Sequence, residues 1–409
     1  MPAPPSSSAR LMHQRSFLCF WGARVATNAA YMMQGVAVGW QIYDLTHDPL
    51  DLGLVGLMQF LPLLLMSVVA GYVLDTFDRR VIAAVCQLGK ALAAAALAIG
   101  TAQALLGRET IFAILLLAGT ARAFELPTIQ TLLPGIVSPR LLPRAIALSA
   151  SAQQTAVICG PSIGGLLYLA GPTVVYAVCT ATFILACVLL SLIELAPVKK
   201  GRRPATLEGL FAGFRYIRAN PVVLGAISLD LFAVLLGGVT ALLPIYARDI
   251  IGAGPWALGL LRSAPAVGAL ATSIVLARRA VEGRAGAIMF AAVGIFGLAS
   301  ILFALSSSIL LSFLALVIYG ASDAVSVVIR QSLVQLRTPD DRLGRVMAVN
   351  SLCTGSSGTL GEFRAGLVAA SYGAVAAALV GGFGTIAVML VWIWAFPELR
   401  RVDRLAAEG

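Results

Sequence analysis

The chain has 409 residues, of which 59% are hydrophobic and 12% are charged. Soluble proteins carry about 45–50% apolar and about 25% charged residues, so the composition excludes a soluble globular protein as well as a disordered, collagen-like or disulfide-scaffold chain. The formal charge is +10, but the basic residues lie in short clusters between long apolar runs, which indicates membrane topology rather than nucleic-acid binding.

Long apolar runs, broken by charged or turn residues, divide the chain into segments that can cross a bilayer, for which about 20 residues suffice. We predict twelve spans, at residues 16–44, 50–74, 81–106, 110–133, 143–170, 172–195, 221–247, 255–277, 285–305, 309–334, 343–371 and 373–396. The predicted fold class is therefore an all-α membrane protein. The polar tail MPAPPSSSAR precedes an apolar run that is too long for a signal-peptide core, so we expect span 1 to be uncleaved.

Basic residues between the spans are distributed unequally across the membrane. With the N-terminus in the cytoplasm, 21 of the 29 lysines and arginines fall on the cytoplasmic side, two fall outside and six fall within spans. Because cytoplasmic loops carry the excess of lysine and arginine, both termini are predicted to be cytoplasmic.

The longest hydrophilic stretch lies in the middle of the chain, between spans 6 and 7. It begins as a basic linker and continues with apolar residues at helical spacing, namely Leu207, Leu210, Phe211, Phe214 and Ile217. We expect a helix on the cytoplasmic membrane surface, which either only ties two halves together or has a regulatory role. The predicted domains are a cytoplasmic tail at 1–15, a six-helix bundle at 16–196, the linker at 197–220, a second six-helix bundle at 221–397 and a cytoplasmic tail at 398–409.

The two halves repeat each other. Residues 119–167 and 320–368 align without gaps at an offset of 201 and share ten identities, which include a glutamine, an arginine and three glycines: Gly119/Gly320, Ala123/Ala324, Gln130/Gln331, Leu132/Leu333, Leu142/Leu343, Arg144/Arg345, Ala147/Ala348, Gly160/Gly361, Gly165/Gly366 and Leu166/Leu367. Six plus six spans in the same orientation predict two pseudo-symmetric bundles with a site between them that is exposed to each side in turn.

The segment GYVLDTFDRR, residues 71–80, lies between spans 2 and 3. It resembles the signature of the major facilitator superfamily, usually written G-x-L-A-D-R-x-G-R-[RK], although Thr76 stands at the usual arginine. We expect Gly71 to allow a close approach of two helices. The resemblance implies a major facilitator fold and a cytoplasmic gating motif formed by Gly71, Asp75, Asp78, Arg79 and Arg80, of which Asp78 replaces the usual second glycine. The alternative is a basic turn that only anchors the topology.

Span 5 contains GPSIGG, residues 160–165. It resembles the antiporter motif that exporters of the same superfamily carry. Proline removes one backbone hydrogen bond and bends the helix, while glycines four residues apart permit tight helix packing. The resemblance therefore implies a helix-packing motif formed by Gly160, Pro161, Gly164 and Gly165, and it favours export.

Longer blocks narrow the resemblance to the branch that contains the bacterial enterobactin exporter and macrolide and multidrug exporters. These blocks are residues 40–80, 132–151, 207–221 and 337–351, and they spread over nearly the whole chain. The resemblance implies a proton-coupled exporter of a small amphiphilic molecule, siderophore-like or drug-like, in the bacterial inner membrane. We expect a monomer in the lipid bilayer, with protons as the coupling ion. An importer or facilitator, or a lipid-type transporter of the same fold, is the alternative.

Ten ionisable side chains fall inside predicted spans, where each costs several kcal/mol unless it is paired or hydrated. They are Arg24, Lys90, Arg122, Glu125, Asp230, Arg262, Asp323, Arg330, Glu362 and Arg364. Six of them lie on spans 1, 4, 7 and 10, which line the central cavity in the superfamily. We interpret Lys90 and Arg330 as residues that extend to the membrane interface.

The intramembrane carboxylates are the candidates for proton coupling. Asp230 and Asp323 have no opposite charge nearby in sequence, and we rank them ahead of Glu125 and Glu362. Arg122 and Glu125 are three residues apart and either neutralise each other or serve substrate or proton binding. A carboxylate exchanges protons when its burial and its charged neighbours change during transport.

The substrate cavity is expected to favour a molecule that is anionic or rich in hydrogen-bonding groups, because basic residues outnumber acidic ones in the spans. The candidates are Arg24, Asn28, Tyr31, Gln34, Arg122, Phe124, Phe232, Arg262 and Arg364. For the aromatic residues, simple packing is the alternative.

Three other classes of protein compete with a carrier. The only histidines, His13 and His47, lie outside the spans, so a Ser-His dyad or an HExxH zinc site inside the membrane is excluded. No GxxxxGK[ST] loop occurs, and the six cysteines have no metal-ligand spacing, so we expect no ATP-driven transport, no metal and no cofactor. A carboxylate-only enzyme, a channel and a non-transporting receptor remain alternatives, although a twofold repeat fits alternating access better than a fixed pore.

Overall fold

The structure is a computed structural model that describes residue 11 and residues 14–194, 207–278 and 283–403. For residues 67, 68, 75, 207–211, 340 and 341 it describes the backbone alone. The described part of the chain is helical and contains twelve long helices and one shorter one: α1 (Arg15–Thr46), α2 (Pro49–Thr76), α3 (Arg79–Ala102), α4 (Arg108–Ile136), α5 (Leu142–Leu167), α6 (Pro172–Ser191), α7 (Leu207–Ala219), α8 (Pro221–Gly237), α9 (Pro255–Arg278), α10 (Ala285–Leu305), α11 (Ile309–Arg337), α12 (Asp340–Tyr372) and α13 (Ala374–Ala395).

Nine helical segments of the described residues are long and apolar enough to cross a membrane. They are α2, α3, α4, α6, α9, α10, α11, α13 and the segment Pro221–Ile250, which begins with α8. The three remaining long helices, α1, α5 and α12, carry more polar residues, as their sequences show. Helices of this kind need neighbours that bury their polar faces, because lipid cannot hydrogen-bond to them.

The seventh predicted span, 221–247, is not one continuous helix. Helix α8 ends at Gly237 and is followed by a 3-10 turn at Thr240–Leu242, a short helical turn at Leu243–Ile245 and a π turn at Tyr246–Ile250. Two adjacent glycines and the following Pro244 explain the break, since glycine favours irregular backbone and proline removes a donor. Carbonyl groups at the end of α8 are therefore left for side chains to bind.

The chain forms two compact units. The first comprises Met1–Thr46 and Met58–Pro204, and the second comprises His47–Leu57 and Ala205–Gly409. The start of α2 thus belongs to the second unit, where a Cβ placed on Gly53 would lie 3.0 Å from the Cα of Phe363 in α12. Residues 197–206 of the predicted linker lie outside the described residues, and the predicted domain ranges stay a prediction.

Repeat-related glycines occupy equivalent helix contacts in the two units. A Cβ placed on Gly119 of α4 would lie 2.7 Å from the carbonyl oxygen of Gln59 in α2. A Cβ placed on Gly320, its repeat partner in α11, would collide with the carbonyl oxygen of Pro265 in α9. The fourth helix of each half therefore packs against the second helix of that half at the same position.

The second glycine pair repeats the same pattern on the fifth helices. A Cβ placed on Gly160 of α5 would lie 2.6 Å from Met32 Cβ in α1, and one placed on Gly361 of α12 would lie 2.7 Å from the carbonyl oxygen of Val234 in α8. The matched glycines are thus sites of close helix approach. Close approach strengthens van der Waals contacts, which stabilise helix pairs in lipid, where the hydrophobic effect does not.

Candidate functional site

Lys90 and Glu125 form a buried ion pair in the first unit. Lys90 Nζ lies 2.7 Å from Glu125 Oε2, and the two side chains are only 4% and 8% exposed. Gln87 Nε2 donates to the other carboxylate oxygen of Glu125 at 2.7 Å, and Thr27 Oγ1 donates to Gln87 Oε1 at 3.0 Å. Lys90 Nζ also lies 4.9 Å from the centre of the Phe183 ring. Helices α1, α3 and α4 thus share one polar network.

This network corrects two interpretations of the sequence. Lys90 does not extend to the membrane interface, because its ammonium group is buried and held by Glu125. Glu125 is paired with Lys90 rather than with Arg122, its neighbour in sequence. The partner lies 35 residues away on α3, a separation that no local pattern reveals.

Arg122 lies beside this network and faces a small cleft. Its guanidinium carbon is 3.9 Å from the centre of the Tyr31 ring, a cation–π contact. Tyr31 Oη donates to Gln59 Oε1 at 2.8 Å. The cleft, which we call the α1–α4 cleft, has a volume of about 20 Å³ and is lined by Tyr31, Gln34, Gly35, Val38, Gln59, Lys90, Leu115, Ala118, Gly119 and Arg122. One water needs about 10–15 Å³, so the cleft admits a group of that size and no more.

The other candidates of the first unit lie on α1 and α4. Arg24 Nη2 donates to Gln153 Oε1 at 2.7 Å, and Asn28 Nδ2 donates to the carbonyl oxygen of Arg24 at 2.8 Å. Arg24 and Arg122 both interact electrostatically with the charges of the Lys90–Glu125 pair. Phe124 packs on an apolar cluster with Leu74, Ile82 and Cys86, which agrees with the packing alternative.

The second unit contains its own buried ion pair, between Asp230 of α8 and Arg330 of α11. Arg330 Nη2 lies 3.2 Å from Asp230 Oδ2, and the side chains are 1% and 5% exposed. Arg330 Nη1 donates to Asn350 Oδ1 and to Thr354 Oγ1, both at 2.9 Å. Arg330 therefore does not extend to the interface as expected, and Asp230 has an opposite charge 100 residues later in the chain. Adjacent helices supply the counter-ion that the sequence neighbourhood lacks.

Asp323 shares a narrow space with Asp230 of this ion pair. The space, which we call the α8–α11 cleft, has a volume of about 10 Å³ and is lined by Asp230, Ala233, Val234, Val293, Phe296, Ser322, Asp323 and Ser326. Asp323 interacts electrostatically with both Asp230 and Arg330. Two carboxylates thus line the cleft, one of them paired with Arg330 behind it, and the described lining residues include no cation. A proton on one carboxylate would make this cluster neutral.

The two clefts occupy related places in the repeat and carry opposite charges. At the offset of 201, Arg122 of α4 corresponds to Asp323 of α11, and Ile129 corresponds to Arg330. Ile129 belongs to an apolar cluster, whereas Arg330 holds Asp230. The first unit has an excess of cations around Glu125, and the second has an excess of carboxylates around Arg330.

Glu362 and Arg364 of α12 bind the end of α8 and the irregular segment that follows it. Thr240 Oγ1 donates to Glu362 Oε1 at 2.9 Å. Arg364 donates from Nε to the carbonyl oxygen of Leu235 at 3.1 Å and from Nη2 to that of Leu236. Arg364 therefore caps carbonyl groups that the break in α8 leaves without helical partners.

Phe232 and Arg262 are the remaining candidates. The Phe232 ring is 5.3 Å from that of Trp392, and the side chain is 40% exposed. Arg262 lies on α9, where it is half-buried. Neither residue lines the α1–α4 cleft or the α8–α11 cleft.

Residues 71–80 form contacts within the first unit. Asp78 caps α3 by accepting a hydrogen bond from the backbone nitrogen of Arg80 at 2.8 Å. Arg79 Nη1 donates to the carbonyl oxygen of Thr131 at 3.3 Å, and Arg80 Nη1 donates to that of Ile193 at 3.0 Å. The close approach expected at Gly71 is absent among the described atoms, where a Cβ would meet nothing within 4 Å. The side chain of Asp75 lies outside the described residues.

The segment 160–165 packs α5 against α1, as its glycine spacing predicts. A Cβ placed on Gly164 would lie 2.8 Å from Met33 Cα, and Gly160 contacts Met32. Pro161 lies inside α5, and Gly165 is buried.

Sequence reasoning missed four polar residues of the two networks: Thr27, Gln87, Asn350 and Thr354. Gln87 lies one turn before Lys90 on α3, and Asn350 and Thr354 lie one turn apart on α12. The available signal was polar spacing of three or four residues within a helix, which places both side chains on one face.

Solved structures of transporters share this fold. A bacterial homologue of the human lysosomal transporter Spinster matches with a TM-score of 0.72 and 13% identity, covering 97% of each chain. A bacterial homologue of the iron transporter ferroportin matches with a TM-score of 0.71 and 17% identity, covering 93% of this chain and 99% of its own. The fold is that of transporters of the major facilitator superfamily, and the predicted fold class is confirmed.

The chain belongs to the family of transmembrane secretion effectors, whose family model matches residues 6–408. Among its relatives is the enterobactin exporter EntS of Shigella boydii, 28% identical over 398 residues, which are 94% of this chain and 93% of the relative. EntS of Escherichia coli is 27% identical over the same share. The predicted resemblance to this branch is confirmed, as is the prediction of a transporter rather than an enzyme. The chain is a multi-pass protein of the bacterial inner membrane with a small-molecule substrate.

Proposed function

We propose that this chain is a proton-coupled exporter of a small amphiphilic anion and that it works by alternating access. The observation that carries the proposal is the opposite charge balance of its two halves. Glu125 is paired with Lys90, and Arg122 and Arg24 add positive charge to this network. Asp230 is paired with Arg330, and Asp323 adds a second carboxylate there. One half is therefore suited to an anionic group and the other to a proton.

The first half would receive an anionic oxygen of the substrate. Lys90 is already paired, so Arg122 is the cation with the most capacity for a new anion, and the Tyr31 ring beneath it offers an apolar surface to an aromatic group. The α1–α4 cleft is small, so it would hold one substituent rather than the whole molecule. Gln34, Asn28 and Arg24 supply further hydrogen-bonding groups on the same helix.

The second half would carry the proton. Two carboxylates and the neighbouring Arg330 are neutral together when one proton is bound, and the α8–α11 cleft is about the size of one water molecule. Asp230 is held by Arg330, so Asp323 is the carboxylate that we assign to proton exchange. Glu125 and Glu362 have other hydrogen-bonding partners and are weaker candidates.

Export is supported by the relatives named as enterobactin exporters and by the antiporter-like segment at 160–165. We extend the proposal to a siderophore-like or similar drug-like substrate. The excess of basic residues on one side supports cytoplasmic termini, and we propose that the protein works as a monomer.

The proposal is tested by uptake of enterobactin into inverted membrane vesicles from cells that produce the chain. Acidification of the vesicle interior is expected to drive accumulation of enterobactin. A protonophore, which collapses the pH gradient, is expected to abolish this accumulation. Arg122→Gln should raise the half-saturating concentration by about tenfold or more, since a charge-assisted contact contributes about 1.5–3 kcal/mol.

Arg108→Gln serves as the matched control because Arg108 lies on the same helix, α4, but outside the cleft. It should leave uptake unchanged. Accumulation that does not depend on the proton gradient, or preferential transport of lipophilic cations, would contradict the proposal. Uptake driven in the opposite direction would favour an importer.

A further inference from the structure

A third cavity, which shares no lining residue with either cleft, lies between α7 and the first turns of α12. It has a volume of about 470 Å³ and is lined by Arg215 and Tyr216 of α7, by Arg342 and Arg345 of α12 and by three small residues of α7. We call it the α7–α12 cavity. Pockets for small ligands measure about 300–1,000 Å³, so its volume suits a polar headgroup or a small metabolite.

Direct contacts between the two helices fix the walls of this cavity. A Cβ placed on Gly213 would lie 2.7 Å from the carbonyl oxygen of Arg345. Tyr216 Oη donates to the carbonyl oxygen of Arg337 at 2.8 Å. Ile217 is buried with Val223, Ile227, Val334 and Val346, so part of the apolar face of α7 packs on protein rather than on lipid. The arginines are thus presented by helices that are anchored to each other.

The charge of the cavity favours an anion. Arg342 lies in the first turn of α12 and 5.6 Å from the centre of the Tyr216 ring. A helix N-terminus favours anions and disfavours cations, so a bound anion would interact with both the helix end and the guanidinium. Within 207–219 and 337–345, five arginines outnumber three acidic residues. No acidic side chain is among the described residues that line the cavity, and the side chains of Asp340 and Asp341 lie outside the described set.

The repeat shows that one of these arginines is particular to the second half. Arg345 corresponds to Arg144 in the first half, whereas Arg342 corresponds to Leu141. The additional arginine therefore occurs where α7 supplies a facing wall with Arg215 and Tyr216. General membrane topology requires basic residues on this side but does not require three of them to face one cavity.

We propose that the α7–α12 cavity binds the phosphate group of a ligand with net negative charge. Guanidinium groups bind phosphate oxygens through paired hydrogen bonds, and arginines from both helices can contact one phosphate. The ligand is either the headgroup of an anionic phospholipid or a free phosphorylated solute. Its binding would tie α7 to the start of α12. The site is separate from the proposed transport function.

The test compares ligand-dependent thermal stabilisation of the purified full-length protein in an uncharged detergent. Phosphatidylglycerol, phosphatidylcholine and pyrophosphate are each titrated onto wild type, Arg342→Gln/Arg345→Gln and Arg218→Gln. Arg218 is an exposed arginine on the same helix α7 but does not line the cavity, which makes it the matched control.

Wild type and Arg218→Gln should be stabilised by phosphatidylglycerol or by pyrophosphate, and not by phosphatidylcholine. The double variant should bind the same probe about thirtyfold more weakly, since each arginine contributes about 1 kcal/mol to such contacts. A response to phosphatidylglycerol alone identifies a lipid headgroup, and a response to pyrophosphate identifies a free phosphorylated solute. A double variant that responds as Arg218→Gln does, or a wild type that responds to neither anionic probe, would overturn the proposal.

Discussion

Asp323→Asn is expected to abolish gradient-driven accumulation of substrate while downhill movement continues. The variant has a permanently neutral group where the wild type exchanges a proton, so the α8–α11 cleft keeps the same net charge throughout the cycle. If one proton is exchanged per substrate, a gradient of about two pH units supports accumulation of at most about 100-fold, because each tenfold step corresponds to about 1.4 kcal/mol. The variant should equilibrate substrate to a ratio of about one.

Uptake into inverted vesicles with and without an imposed pH gradient provides the measurement. Ser322→Ala is the matched control, because Ser322 lines the same cleft and its hydroxyl donates to the carbonyl oxygen of Ile318 in its own helix. The control should accumulate substrate as wild type does. If Asp323→Asn also accumulates substrate at the wild-type ratio, Asp323 is not the coupling group.

The second large effect is expected from removal of Arg330 alone. Arg330→Met leaves Asp230 buried without its cation and removes the donor to Asn350 and Thr354. Breaking a buried pair by removing one partner costs about 3–5 kcal/mol, whereas replacing both partners by neutral groups is often close to neutral. The double variant Asp230→Asn/Arg330→Met should therefore be more stable than Arg330→Met.

Thermal unfolding midpoints in detergent decide this prediction. Arg218→Met, which removes an exposed arginine of α7, should unfold close to wild type. The buried pair would have no structural role if Arg330→Met unfolded together with wild type. A double variant no more stable than Arg330→Met would contradict the predicted cost of leaving Asp230 unpaired.

Much of the fold follows from hydrophobic length and from the repeat. Segments as apolar as α10 and α13 are expected to cross the membrane as helices, because a helix satisfies its own backbone hydrogen bonds in lipid. The repeat could be read from Gly119 and Gly320, because a glycine at a close helix contact cannot be exchanged for a larger residue. The break after α8 was not predicted because the surrounding residues are apolar. Gly237, Gly238 and Pro244 could have indicated it, since they disfavour a continuous helix.

The pairing of buried charges could not be predicted from sequence position. Lys90 lies about two turns from the end of its span, a place from which a lysine can extend to the interface. Tertiary packing instead buries Lys90 and places its ammonium group 2.7 Å from a carboxylate oxygen of Glu125. Gln87 donates to the other oxygen of Glu125 at 2.7 Å. Asp230 and Arg330 likewise meet only because α8 and α11 are neighbours in the fold. Residue type identified the candidates, and helix packing decided their partners.

We propose that one half of the chain binds the anion and the other half binds the proton. Substrate-driven proton movement tests this proposal most directly. Purified protein is reconstituted into proteoliposomes that contain a pH-sensitive dye, and an enterobactin gradient is imposed with no pH gradient. The account predicts that protons move opposite to the substrate in wild type and in Ser322→Ala, and that they do not move in Asp323→Asn. Substrate flux in wild type without any change of internal pH would contradict it.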